Sequence, residues 1–294
     1  MALPSLGRVL DESWGQYRQR FFDHLNLTWP FLLLSAITIA TYIFYPQASS
    51  LLDPGALYTV QEKASVVVSL VLGISTSLTI LVIYGALIVS YDGQLNNRPV
   101  SNRKAFALGW KKLPMLLLLT VLLNAIMFLA RYLPLVPSLV LAVIGTVFPS
   151  LNGLTPLIYI FEFIGRLAAV FIVLAVAIDY FFSLFTFMLE GKKGWSAFLH
   201  SREIVKGLRF AVFGRLVIPS LIFFFGAAAV GVLLLLSANM INVSITGYNA
   251  DLYARLKLIS THAVTSVLFA LVFPALVAIQ SVVYQHLKDQ RRLP

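Results

Sequence analysis

Six apolar runs, each about the length of a membrane-crossing helix, constrain this chain more than any other feature. They are Leu27–Tyr45, Val66–Val89, Leu113–Ala130, Leu167–Leu189, Ala211–Leu236 and Ala263–Leu287. A helix needs roughly 20 mostly apolar residues to cross a bilayer. Only helices and closed barrels satisfy all their backbone groups there. Hydrophobic residues make up 59 % of the chain and charged residues 12 %, whereas a soluble domain carries about 25 % charge. The expected fold is therefore all-α, a polytopic bundle of six transmembrane helices. The residues before the first run lack the short basic stretch and immediate apolar core of a cleaved signal, so that run is expected to be retained.

A seventh stretch, Leu133–Phe148, carries Pro134 and Pro137, with Pro149 just beyond, and is short for a span. Charge decides its reading. With a cytoplasmic N-terminus and six spans, sixteen of the 22 Lys and Arg residues fall on the cytoplasmic side and five outside. This is the asymmetry that the positive-inside rule requires. A seventh crossing would carry the basic stretch around Lys192 to the outside. Leu133–Phe148 is thus expected to be an outer re-entrant or interfacial segment, and both termini of an inner-membrane, multi-pass protein are expected to be cytoplasmic.

The net charge of +10 is therefore read as a topological label and a contact for anionic phospholipid headgroups, not as a nucleic-acid footprint. The headgroup candidates are Arg18, Arg20, Arg103, Lys104, Lys111, Lys112, Lys192, Lys193, Arg202, Lys206 and Arg209. They fall in or beside three short windows that align without gaps: Val9-Leu10-x-x-Ser13-Trp14-x-x-Tyr17, Ala105-Phe106-x-x-Gly109-Trp110-x-x-Leu113 and Ala197-Phe198-x-x-Ser201-Arg202-x-x-Val205. The spacing suggests one integral membrane domain made of three pseudo-repeats, 1–92, 93–190 and 191–294. Each would be an amphipathic interfacial helix followed by a two-span hairpin.

The run from Leu189 to Gly207, Leu189-Glu190-Gly191-Lys192-Lys193-Gly194-Trp195-Ser196-Ala197-Phe198-Leu199-His200-Ser201-Arg202-Glu203-Ile204-Val205-Lys206-Gly207, resembles a recurring cytoplasmic segment of a group of bacterial integral-membrane proteins. These are grouped with the membrane domain of glycerophosphoryl diester phosphodiesterase. The opening Ser5–Phe22 is similar to that family's first helix. The resemblance implies a six-helix polytopic fold. It does not imply phosphodiesterase activity, which in such fusions belongs to a separate soluble barrel of about 250 residues.

Few groups inside the runs could carry chemistry. Asp179 reads as lying near the middle of the fourth run, where an acid costs about 2.5–3.5 kcal/mol. It is expected to face the bundle or a water-filled cavity, as a proton or cation site or as a structural hydrogen-bonding group. Glu162 and Arg166, four apart on one helical face, read as an outer salt bridge or a headgroup clamp. Small residues at four-residue steps, Ser65, Ser69, Gly73 and Ser77, with Ala227 and Gly231 later on, mark close helix packing. That packing could lie within the chain or between two copies. Cysteine is absent, and the four histidines stand in no metal-ligand pattern. No catalytic set, cofactor or metal is expected. Two functions remain: a non-catalytic scaffold or regulator that contacts anionic lipid or a cytoplasmic partner, and a transporter or lipid-handling protein with a polar site near Asp179.

Overall fold

A computed structural model describes residues 3–43, 60–147 and 155–292. Tyr45, Phe148 and Pro149 lie outside the described residues, and the side chain of Ser65 is likewise not described. The fold is all-α. Its helices are α1 (Leu6–Gln19), α2 (Phe21–Ile43), α3 (Val60–Leu95), α4 (Asn102–Tyr132), α5 (Val136–Val147), α6 (Thr155–Tyr180), α7 (Ser183–Glu190), α8 (Trp195–Val205), α9 (Arg209–Thr246) and α10 (Ala250–Arg292). Among the described residues, six stretches are long and apolar enough to cross a membrane. The chain is a polytopic membrane protein.

A 3-10 turn over Leu133–Leu135 leads straight into α5, which is described over 12 residues. It folds back along α6. Gly165 lies so close to the turn that a Cβ there would stand 2.6 Å from the Pro134 carbonyl oxygen.

The fourth apolar run departs from its reading. It is not one helix over Leu167–Leu189. The helix begins at Thr155, stops at Tyr180, and resumes as α7 after a turn at Phe181 and Phe182. Hydropathy hides the break because aromatic residues occupy the turn.

The chain divides into two compact units. The first comprises Met1–Leu113 with Gly214–His286. Its core is built from Val82, Ile83, Ala86, Leu87 and Tyr91 of α3 and Val277, Ala278, Ile279, Val282 and Tyr284 of α10. The opposite end of α3 is open: Val66, Leu70 and Ile74 are exposed, which suits lipid contact. The second unit comprises Pro114–Phe213 with Leu287–Pro294. Phe182, Phe185, Phe198, Val205 and Leu287 are wholly buried in it.

The aligned segments share one packing rule. Val9, Ser13 and Tyr17 are buried, as are Ala105 and Gly109 and then Ala197, Ser201 and Val205; Leu113 is half-buried. Each set is an i, i+4, i+8 face with a small residue at its centre, which lets two helices approach closely. A Cβ on Gly109 would meet the Val82 carbonyl oxygen of α3 at 2.5 Å. Ser201 reaches the end of α6. In α1, the Tyr17 hydroxyl donates to the Leu271 carbonyl of α10 at 2.9 Å. Ser5 caps α1 by accepting from the Arg8 backbone N–H. The Arg215 guanidinium holds the chain just before it, donating to the Pro4 carbonyl at 2.6 Å.

Among the described residues nothing packs closely on the small-residue stripe of α3 at Gly73. Ser69, Gly73 and Ser77 are exposed, and a Cβ on Gly73 would meet nothing within 4 Å. The spacing that promises a close contact is present, but α3 turns that face outward. Ala227 and Gly231 behave differently: Gly231 is buried, with the Leu268 side chain of α10 lying directly over it.

Candidate functional site: an acidic helix end under a basic segment

Asp179 belongs to the last turn of α6, not to the middle of a continuous span. Ending a helix here frees backbone groups that must find partners. One side chain from α8 supplies both. The Ser201 hydroxyl donates to the Asp179 carbonyl at 2.8 Å and accepts from the Phe182 N–H at 3.1 Å. Thr186 of α7 adds a second tie, donating to the Ala197 carbonyl of α8 at 3.1 Å.

The Asp179 carboxylate is nearly buried, its side chain 10 % exposed. Arg209 grips it with both arms of the guanidinium: Nε to Oδ1 at 2.6 Å and one terminal nitrogen to Oδ2 at 2.6 Å. Arg202 approaches Oδ2 at 3.7 Å. A two-point guanidinium–carboxylate fork is short, directional and hard to replace with lysine. Residues read separately from sequence as a membrane-buried acid and as headgroup contacts thus form one cluster. A cation at Asp179 would have to displace a guanidinium from each oxygen, so the arrangement acts as a clamp between α6, α8 and the start of α9.

Glu162 and Arg166 do not join it. They pair with each other on the same helix, seventeen positions earlier at Glu162, which is about 25 Å along the axis. Their side chains are 36 % and 72 % exposed. Glu162 also lines a cleft of about 420 Å³ beside Tyr132, Leu135 and Leu139.

Of the headgroup candidates, Arg18, Arg103, Lys104, Lys111, Lys192, Lys193, Arg202, Lys206 and Arg209 are exposed; Arg20 and Lys112 are half-buried. Arg20 stands 3.6 Å from Asp23. Exposed tryptophans flank them: Trp14, Trp110 and Trp195, the residue type that settles at a membrane interface.

Several partners escaped the sequence reading. Glu190, at the end of α7, accepts from His200 at 2.7 Å and lies 3.7 Å from the Lys288 ammonium. Glu12 of α1 meets His286 at 2.7 Å and Arg8 at 2.7 Å. Burial raises the Glu12 carboxyl, but the hydrogen bonds and charges of His286 and Arg8 outweigh it and leave the group below its usual value. Burial alone pushes the Tyr17 hydroxyl up to about 12. The one available signal was that an acid beside an apolar run needs a partner. Which partner is a matter of tertiary structure. Among the described residues no group of His, Asp and Glu is arranged to hold a metal ion.

No protein-family model matches the sequence, and no curated protein or solved structure is detectably similar to it.

Proposed function

We propose that the protein is a non-catalytic scaffold or regulator of the inner membrane, with its termini on the cytoplasmic side and its three basic segments resting on anionic lipid headgroups. The observation that carries this reading is the division of labour within each segment. The small-residue face is buried against a span, which leaves Arg18, Arg103, Lys104, Lys111, Lys193 and Lys206 exposed beside interfacial tryptophans. Each basic group near an anionic membrane surface contributes about 1 kcal/mol. What weighs against a transport site at Asp179 is its occupancy: both carboxylate oxygens are held by Arg209.

The test is lipid selectivity. The full chain is reconstituted in phosphatidylcholine bilayers containing trace spin-labelled phosphatidylglycerol or spin-labelled phosphatidylcholine. The motionally restricted fraction should favour phosphatidylglycerol, and the preference should shrink in high salt and in R103Q/K104Q/K111Q, because exposed charges are screened. Equal restriction of the two lipids would sink the reading.

A further inference from the structure

We infer that the cleft between α7, α8 and the end of α10 is a binding site for a phosphate monoester dianion. The inference rests on the reading above and deepens it, from a diffuse basic surface to one defined site. The cleft has a volume of about 490 Å³, and its lining includes Glu190, Lys192, His200, Ile204, Lys288 and Arg291. All belong to the second unit.

Its charged groups are held in place. The Glu190 and Lys288 side chains are only 16 % and 18 % exposed. Glu190 fixes His200 through Nε2 at 2.7 Å, and the other ring nitrogen lies 3.6 Å from Glu203. Arg291 is anchored at the rim by a donated hydrogen bond to the Lys206 carbonyl at 2.6 Å. One arm of its guanidinium is thereby spent on the backbone while the group stays exposed. Lys192 is brought to the cleft by the turn at Gly191, whose φ of 71° lies in the left-handed region that favours glycine. Ile204, 4 % exposed, supplies an apolar wall.

Charge selects the ligand class. Among the residues that line the cleft, three basic side chains, Lys192, Lys288 and Arg291, face one carboxylate, Glu190. Two positive charges remain. A phosphate monoester carries about −1.5 to −2 at pH 7 and neutralises them, whereas a diester carries one charge and leaves an excess. Lysine and arginine complement each other around such an anion, the ammonium as a mobile point charge and the guanidinium as a planar fork. The volume exceeds that of a bare phosphate and matches a small organic ligand. A lipid headgroup and a free phosphate monoester present the same chemistry.

The experiment uses the full chain in phosphatidylcholine nanodiscs. Phosphorus NMR line broadening follows inorganic phosphate and, separately, dimethyl phosphate at matched ionic strength. Saturable phosphate binding, at least tenfold tighter than dimethyl phosphate, is expected. K192Q/R291Q should weaken it at least tenfold, while K104Q/K111Q, which removes cations outside the cleft, should stay within twofold. K192Q alone, an exposed position, repeats the test if the double variant does not fold. Nanodiscs containing 10 % phosphatidic acid identify the source: loss of the phosphate signal assigns the site to the lipid monoester, and an unchanged signal assigns it to a soluble one. Either result supports the site. Absent saturation, equal affinity for dimethyl phosphate, or equal weakening in both variants would overturn it. If phosphate fails to bind while phosphatidylglycerol selectivity behaves as expected, the cleft falls and the wider reading stands; the reverse pattern removes the reading and keeps the cleft.

Discussion

Asp179 shows how one residue's role depends on a partner far along the chain. The two hydrogen bonds to its carboxylate come from Arg209, thirty positions away. Replacing Asp179 by Asn removes the charge from a nearly buried group and leaves Arg209 without its counter-ion. A charge-assisted hydrogen bond contributes about 1.5–3 kcal/mol, discounted here because Arg209 is 42 % exposed. D179N should therefore lower the thermal unfolding midpoint in detergent. R209K should lower it nearly as much as R209A, since an ammonium keeps the charge but not the fork; full rescue by lysine would reduce the contact to simple charge attraction. Glu12 makes a pH prediction. Its folded pKa lies below the ordinary glutamate value of 4.5, so the bonds to His286 and Arg8 contribute stability above that pH and lose it as pH falls through the lower folded value. Trp14, in tilted ring contact with Tyr17 and Phe223, reports on α1. Its fluorescence should change on acidification below pH 4.5, and E12Q should flatten that change.

At the scale of elements, the glycines separate packing from mere spacing. Gly109 and Gly73 both sit in patterns of small residues, yet among the described residues only Gly109 has a close neighbour, the Val82 carbonyl. Overpacking a close contact costs about 1–3 kcal/mol. G109A should therefore destabilise the protein while G73A stays within about 0.5 kcal/mol, the usual range for an open surface position; both are readable from urea or thermal unfolding. Ser201→Ala belongs to the same scale, because it strands the Phe182 N–H and the Asp179 carbonyl together. A buried unsatisfied group costs about 1–3 kcal/mol, so S201A should exceed S77A in effect, the exposed Ser77 hydroxyl donating to the Gly73 carbonyl of its own helix. The sequence carries the faces of these helices legibly: Val9, Ser13 and Tyr17 align with Ala105, Gly109 and Leu113, and all but the half-buried Leu113 are buried. It does not carry what the faces meet. The stripe at Ser69, Gly73 and Ser77 has the right period but no helix packed on it among the described residues. The break at Phe181 is invisible because the residue that satisfies it, Ser201, lies on another helix. Hydropathy is a local average, and a helix end satisfied from afar leaves no mark on it.

For the whole molecule, membrane sidedness is decisive. Among the described residues six helical stretches are long and apolar enough to cross a membrane, and the proposed function requires that all three basic segments share one face, as the Lys and Arg asymmetry predicts. The candidate site depends on that count, since Lys192, His200 and Arg202 follow α5 and α6. The chain has no cysteine, so single cysteines can be introduced and labelled without background. The most direct test is labelling of R18C, K104C, K193C and R131C by a membrane-impermeant maleimide in sealed, oriented vesicles. Positions 18, 104 and 193 should react from one side and position 131 from the other. Reaction of position 193 from the same side as position 131 would mean that α5 crosses the membrane, and would contradict the shared cytoplasmic face on which the proposed lipid contact rests.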